Sequence, residues 1–173
     1  MHSAKLSHKT IFYLAAVSLI FYFIFFFWFE SSGERLTPDE LEAARLMQEA
    51  EKEIYSCQQK LGLSPEKNPF DPMRTGLIGL ESSPLTTTLG QLEAKRTTTN
   101  PALAALLVRL LRQAGVEKGQ VVAAGASSSF PALIVATYCA TRAMGVDLLV
   151  IVSIGSSQWG ANRPEFSWLA IEN

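Results

Sequence analysis

Two polar segments contain the residues best suited to chemistry. Ser127, Ser128 and Ser129 stand between a predicted strand and a predicted helix, and Ser156 and Ser157 lie in the loop after the next predicted strand. Ligands of open parallel sheets bind beyond the carboxyl ends of the strands, where both segments should lie. A helix N-terminus adds free N–H groups and the positive end of the helix dipole. The serines therefore predict an anion site, with ordinary loop and cap residues as the alternative.

A serine hydrolase is the sharper hypothesis for the same segment. Gly125-Ala-Ser-Ser-Ser129 differs at one position from the G-x-S-x-G nucleophile elbow, because Ser129 stands where the second glycine belongs. A Ser-His-acid triad needs an imidazole beside the nucleophile, yet both histidines precede the predicted membrane span. The sequence therefore excludes a triad and disfavours a zinc site. A Ser–Lys pair with Lys95 or Lys118 stays open.

The N-terminal region predicts a membrane helix. Residues Ile11 to Phe29 are apolar except for Ser18, and at about 1.5 Å rise per residue they match the thickness of a bilayer core. The segment ends in bulky aromatic residues that a signal peptidase site does not accommodate, which favours an uncleaved anchor. Lys5 and Lys9 precede the span and Glu30 follows it, so the positive-inside rule predicts a cytoplasmic N-terminus and an extracytoplasmic C-terminal domain.

A second helix is predicted from Thr37 to about Leu61. Its start combines a capping threonine, a proline suited to the first helical position and the glutamate of a capping box, and Gly62 provides its end. An apolar seam follows spacings of four and three along it: Ala43, Met47, Ala50, Ile54, Cys57 and Leu61. The seam predicts a helix lying on its own domain, with self-association or docking on another membrane protein as alternatives.

The remaining chain alternates between strands and helices. Thr75–Leu80, Gln120–Ala124 and Leu148–Ile154 are predicted strands, and helices are expected from Asn100 to Gly115 and from Pro131 to Met144. Strand, helix and strand at this spacing predict a βαβ crossover, hence a parallel sheet and the α/β class.

The two helices of this region differ in their apolar patterns. The first is amphipathic, with Arg109 and Arg112 on the side opposite its apolar face. That face consists of Leu103, Leu106, Leu107, Leu110 and Ala114. The second carries one charge, Arg142, and should be covered on most sides. The predicted strands are too few for that cover. We therefore expect a partial, Rossmann-like parallel sheet that is incomplete in this chain or is completed by a partner.

These elements predict four regions: a cytoplasmic leader (1–10), a transmembrane helix (11–29), a stalk helix and linker (30–72) and an extracytoplasmic α/β domain (73–173). The formal net charge is −1 and no basic motif occurs, so no nucleic-acid partner is indicated. Cys57 and Cys139 lie on apolar faces of predicted helices and should be buried free thiols, with a disulfide between them left open. No cofactor is predicted.

Three segments resemble the poly-gamma-glutamate system protein family. They run from Thr75 to Pro101, from Ser127 to Ala132 and from Ile154 to Asn162. Members of this family accompany the bacterial enzymes that make and export poly-γ-glutamate, an anionic capsule or released polymer. The resemblance implies a non-catalytic membrane component whose partners are the bilayer and other subunits of the complex. It also implies that the family's chains continue past residue 173, in keeping with an incomplete sheet.

The resemblance and the residue chemistry lead to one hypothesis. A membrane-anchored outer domain with positive charge and helix-end anion sites is suited to contact a polycarboxylate leaving the cell. The residues expected to make the contacts are Lys95, Arg96, Ser127, Ser128, Ser129, Ser156 and Ser157. The alternatives are a serine-dependent γ-glutamyl hydrolase or transferase using Ser127 or Ser128, and a membrane scaffold acting through the stalk helix.

Overall fold

The computed structural model describes residues 7–31, 35–63 and 65–172. The chain forms two compact units, Met1–Arg35 and Leu36–Asn173. The first contains helix α1 (His8–Ser31), and the second contains α2 (Pro38–Lys60), α3 (Leu92–Thr98), α4 (Ala102–Gln113), α5 (Pro131–Met144) and α6 (Trp168–Glu172). Its strands are β1 (Thr86–Thr88), β2 (Val121–Ser127), β3 (Asp147–Ser153), β4 (Ser156–Ser157), β5 (Asn162–Arg163) and β6 (Phe166–Ser167). The fold is therefore mixed α and β.

Helix α1 is apolar on every side. Its window from His8 to Phe27 has a mean hydropathy of 2.3, and none of it is buried within the described protein. By length and composition α1 is compatible with a transmembrane or signal-anchor helix. Most of the leader predicted over residues 1–10 lies outside the described residues, as does residue 173.

Helix α2 begins as predicted. The Thr37 N–H donates to Glu40 Oε2 at 2.7 Å and the Glu40 N–H donates to the Thr37 hydroxyl at 3.4 Å, which completes the capping box. Ala43 and Met47 are fully buried in the core that α2 shares with α4 and α5. The helix therefore lies on its own domain, as one interpretation of the seam predicted. It belongs to the compact unit Leu36–Asn173.

Helix α4 presents a different face from the predicted one. Its buried residues are Ala104, Ala105 and Val108, whereas Leu106 and Leu110 are exposed. Arg109 Nε donates to Glu40 Oε1 at 3.0 Å, so this arginine faces α2, although the sequence placed it opposite the buried face. That hydrogen bond, above all, holds the pKa of the buried Glu40 carboxyl below its usual range.

The predicted βαβ crossover is confirmed. Strands β2 and β3 are parallel and paired from Val121–Asp147 to Ser127–Ser153, and α5 connects them. Helix α5 runs from Pro131 to Met144 and is closed by Gly145, as predicted, and Gly145 takes the left-handed conformation. The described residues form three separate two-stranded sheets, β1–β4 parallel, β2–β3 parallel and β5–β6 antiparallel. A wider Rossmann-like sheet is not formed by them.

The prediction of a strand at Thr75–Leu80 is wrong. The segment is largely buried but is not part of a strand. Its backbone bonds to a side chain and to a loop. Gln58 Nε2 donates to the Gly76 carbonyl at 2.7 Å, and the Gly79 N–H donates to the Trp159 carbonyl at 3.1 Å. A buried apolar run satisfied in this way has the same sequence pattern as a strand.

The sequence predicted too few strands to cover α5. In the structure α2 and α4 cover it, since both helices pack against it. The surface that lacks cover is instead one face of the β2–β3 sheet. Val121, Leu149 and Ile151 project from the face of β2 and β3 that lies away from the core, and Ile151 is 75 % exposed. This apolar strand face is open in the described structure.

Candidate functional site

Five of the predicted residues meet in one place, which we call the serine–lysine cluster: Lys95, Ser128, Ser129, Ser156 and Ser157. The pairing of β2 with β3 brings Ser127 beside Ser153, so the loops after both strands begin at the same edge. Strand β4 then pairs with β1 and carries Ser156 and Ser157. The sequence-based expectation that these loops meet at the carboxyl ends of the strands is confirmed.

Ser128 forms the floor of the cluster. Its N–H and its hydroxyl both donate to the Ser153 carbonyl, at 3.0 and 2.7 Å. Its own carbonyl accepts from Ser156 Oγ at 3.0 Å and from the Ala161 N–H at 2.8 Å. Ser128 and Ser156 are fully buried. These two hydroxyls therefore tie the two loops together and are not presented to solvent.

Lys95 enters the cluster from α3 and is only 2 % exposed. Its Nζ donates to the Ser129 carbonyl and, at 2.8 Å, to Ser157 Oγ. The same nitrogen lies 3.4 Å from the centre of the Phe130 ring, a cation–π contact. Burial lowers the pKa of Lys95 to about 8, because desolvation disfavours the charged ammonium. Lys95 therefore works inside the fold and does not offer its charge to a polymer at the surface.

The loop before α5 does not leave free N–H groups for an anion. The Ser128 N–H is bonded to β3, and the Ser129 N–H donates to Ser127 Oγ at 3.4 Å. The Phe130 N–H donates to the Ser127 carbonyl at 3.4 Å. Ser129 Oγ in turn accepts from the Ser157 N–H at 3.0 Å. The N–H groups on which the predicted anion site relied are therefore bonded to acceptors within the fold.

Asn162 closes the cluster from the side and escaped the sequence analysis as a site residue. Its Oδ1 accepts from the Leu80 N–H at 2.8 Å, while its Nδ2 donates to the Leu80 carbonyl at 2.8 Å and to Thr86 Oγ1 at 2.9 Å. The fully buried side chain thus pairs with Leu80 as a neighbouring strand would. The sequence signal that could have identified Asn162 is its polar amide side chain within a loop that contains two glycines.

Gly160 is required by close packing at the same place. A Cβ atom there would lie 2.2 Å from Ser156 Oγ and 2.6 Å from the Ser128 carbonyl oxygen. Neither distance is compatible with a side chain, so the loop can approach the floor of the cluster only at a glycine.

Arg96 does not join the cluster. Successive helix residues point about 100° apart, so Arg96 leaves α3 in another direction from Lys95. Its Nε donates to the Phe70 carbonyl at 3.0 Å and its Nη1 bonds to Glu93 at 2.7 Å. Arg96 lines a different cleft together with Lys52, Arg74 and Glu51. We call this second place the basic cleft; its α2 residues are not among the site residues predicted from the sequence.

The chemistry available to the cluster is limited to hydroxyls and one amine. Ser157 Oγ and Lys95 Nζ are placed as a Ser–Lys pair would be. No group of three or more histidine, cysteine or acidic residues suited to a metal occurs within the described parts of the chain. Cys57 and Cys139 are free thiols, and burial raises the pKa of Cys139 to about 11, so the disulfide left open by the sequence is not formed.

Comparison with known proteins gives no match to a family model, to a characterised sequence or to a solved structure. The fold and the cluster define a class in general terms. The protein is an α/β domain with a buried serine–lysine cluster, preceded by one helix compatible with a membrane anchor.

Proposed function

We propose that this chain is a membrane-anchored accessory component of a bacterial poly-γ-glutamate synthesis and export system. One observation supports the proposal most strongly. The three segments that resemble the poly-gamma-glutamate system family, residues 75–101, 127–132 and 154–162, are far apart in sequence but meet in the serine–lysine cluster and at Asn162. Similarity spread over three segments therefore coincides with one packed structural element.

The proposed topology places α1 in the bilayer with the N-terminus in the cytoplasm and the α/β domain outside. The apolar length of α1 supports a membrane helix. Lys5 and Lys9 before it and Glu30 after it support the orientation. In this arrangement the domain faces the compartment into which an exported polymer emerges, and its partners are other membrane subunits of the complex.

The proposed role is non-catalytic. The hydroxyls of Ser128 and Ser156 and the ammonium of Lys95 bond within the protein. Contact with a polymer is therefore better assigned to exposed cations than to these residues. The cluster supports the role by holding the loops after β2 and β3 in one fixed arrangement.

The test is a deletion of the gene in a polymer-producing host. We expect less polymer at the cell surface or in the medium, and recovery when the full chain is supplied. The matched control is a chain carrying Gly125→Ala, which meets no atom within 4 Å and should restore production as the unchanged chain does. Unchanged amount and length of the polymer after deletion would refute the proposal. Protease added to intact cells should cleave the domain if the topology is correct.

A second candidate is the serine-dependent γ-glutamyl hydrolase or transferase, and the 2.8 Å between Lys95 Nζ and Ser157 Oγ favours it. Neutral Lys95 would take the Ser157 proton as Oγ attacks the γ-amide carbonyl carbon, and would pass that proton to the departing amine. Water or a second amine would then cleave the resulting ester. Because Ser157 is 5 % exposed, the loop that carries it has to open before substrate can reach the hydroxyl.

A fluorophosphonate probe separates the two candidates. The enzyme predicts covalent labelling at Ser157 that disappears in Lys95→Met and persists in Ser127→Ala. The accessory role predicts no labelled serine by mass spectrometry. The sequence proposed Ser127 or Ser128 as the nucleophile. Of these, Ser128 should stay unlabelled in either case, because its hydroxyl is bonded to the Ser153 carbonyl.

A further inference from the structure

The basic cleft contains a buried acid with no internal partner. Glu51 on α2 is 8 % exposed, and its Oε1 has no hydrogen-bond partner in the structure described. Buried polar atoms in folded proteins nearly always have such a partner. Burial and, to a smaller extent, the nearby charge of Asp71 raise the pKa of Glu51 to about 7. An unpaired carboxyl lining a cleft indicates that a hydrogen-bond donor from outside the chain belongs there.

The neighbouring acid cannot supply that donor. Asp71 Oδ1 accepts from the Thr75 N–H and hydroxyl, both at 3.1 Å, and its Oδ2 accepts from the Gly76 N–H at 2.7 Å. These bonds hold Asp71 in place as an acceptor. The negative charge of Asp71, which acts on Glu51 from nearby, therefore increases the attraction for an ammonium or amide N–H next to Glu51.

The mouth of the same cleft is cationic. Lys52 and Arg74 are exposed there, and Arg96 contributes a partly exposed guanidinium whose Nη1 bonds to Glu93. Arg74 stands in the left-handed backbone conformation, with φ of 57°, which is uncommon for a residue with a side chain. Positive groups at the rim and an unpaired carboxyl below suit a ligand with a carboxylate and an N–H donor close together.

We propose that the basic cleft binds a ligand in which one carbon atom carries both a free carboxylate and an N–H group. In this arrangement the carboxylate bonds to Lys52 and Arg74, and the N–H donates to Glu51. The inference rests on the proposed function and names the part of the polymer that is recognised. In a γ-linked glutamate chain every repeat keeps its α-carboxylate on the carbon that carries the amide N–H. An α-linked chain has its free carboxylate at the end of the side chain instead.

The test compares two oligomers of the same length and charge, one γ-linked and one α-linked. Each is titrated by calorimetry into the full chain, held in nanodiscs of phosphatidylcholine so that the lipid adds no net charge. Mildly alkaline buffer keeps Glu51 ionised. We expect the γ-linked oligomer to bind about tenfold more tightly, since only it satisfies the carboxyl and the cations together. Equal binding of the two oligomers would overturn the proposal.

Variants of the cleft make the test specific. Glu51→Met removes both oxygens at similar volume and should abolish the preference for the γ-linked oligomer while the chain stays folded. Lys52→Gln and Arg74→Gln should each weaken binding about threefold, the usual size for an exposed ion pair. The matched control is Lys60→Gln, because Lys60 is an exposed cation on the same helix. Binding that is unaffected by Glu51→Met and Arg74→Gln would also refute the site.

Two further titrations distinguish a ligand that is a chain terminus or a free amino acid from one that is an interior repeat. Free glutamate carries the same carboxylate and ammonium on one carbon, and an N-acetylated γ-linked oligomer carries only amide N–H donors. Tighter binding of glutamate than of the acetylated oligomer assigns the cleft to a chain terminus or an amino acid, and the reverse assigns it to interior repeats. If gene deletion leaves the polymer unchanged but the cleft binds γ-linked glutamate, the proposed function alone fails. If deletion reduces the polymer but neither oligomer binds, the cleft proposal alone fails.

Discussion

The burial of Glu51 predicts that the stability of the domain falls as the pH rises. In the folded chain the pKa of Glu51 is raised to about 7 from an ordinary value of 4.5, because burial disfavours the carboxylate. Between these two pH values the folded state binds a proton that the unfolded state has released. Linkage then requires the free energy of unfolding to decrease through this window and to level off above about pH 7.

The size of the effect follows from the shift. Each pKa unit corresponds to about 1.4 kcal/mol, which gives an upper limit of about 3 kcal/mol for Glu51. Contact of the carboxyl with solvent in the cleft reduces this to about 2 kcal/mol. Glu51→Met removes the titrating group, so its free energy of unfolding should lack this decrease across the same window and exceed that of the unchanged chain at neutral pH.

The measurement is urea unfolding of the full chain in detergent micelles, followed by tryptophan fluorescence at several values between pH 4.5 and 7.5. The window is clear of Glu40, whose pKa is lowered by Arg109 and whose effect therefore belongs below pH 4.5. Subtracting the Glu51→Met curve removes contributions that the two chains share. Parallel curves for the two chains, or an unchanged chain that gains stability with rising pH, would refute the assignment of a buried, unpaired carboxyl.

Three other perturbations test the serine–lysine cluster and the core. Gly160→Ala should destabilise the domain by about 2 kcal/mol in urea, because its Cβ would overlap the cluster, whereas Gly125→Ala, which meets no atom within 4 Å, should unfold like the unchanged chain. Asn162→Ala should cost about 2 kcal/mol, since it leaves the Leu80 N–H unpaired while the Leu80 carbonyl keeps the Trp159 N–H; a loss below 1 kcal/mol would contradict the bonds assigned to Asn162. Iodoacetamide at mildly alkaline pH should alkylate the half-buried Cys57 and spare Cys139, whose pKa burial raises to about 11, and mass spectrometry that finds the opposite order would contradict the packing of α5.

The elements with local signals were predictable from the sequence. The start of α2 follows from Thr37 and Glu40, which bond to each other within one turn. The limits of α5 follow from Pro131 and Gly145, whose backbone preferences act at the residue itself. The parallel pairing of β2 with β3 follows from their spacing around a helix. In each case the determining interaction lies within a few residues or in a chain connection.

The errors share a different origin, because the deciding contact joins distant residues. Thr75–Leu80 has the composition of a strand, and only its contacts with Gln58, Trp159 and Asn162 show that its partner is not a strand. The face that α4 buries places Arg109 against Glu40, a contact across 69 positions, and leaves Leu106 and Leu110 exposed. Single-sequence periodicity contains no information about such pairs.

The same limit applies to the candidate site. Lys95 and Arg96 are adjacent and both basic, so the sequence grouped them as contacts for a polyanion. The structure buries Lys95 against Ser157 and leaves Arg96 at the basic cleft. Glu51 was invisible to the sequence analysis, because an acid on an amphipathic helix ordinarily points to water.

The way the serine–lysine cluster is assembled has a consequence for folding. The helical layer joins α2, α4 and α5, all complete by residue 144, whereas Lys95 needs an acceptor 62 positions further along the chain. Closing so long a loop carries an entropic cost that local helix contacts avoid. We therefore expect the helices to assemble first, and the loop from Ser156 to Asn162 to dock last. In native-state hydrogen exchange, its amides should open before those of α5 at low denaturant.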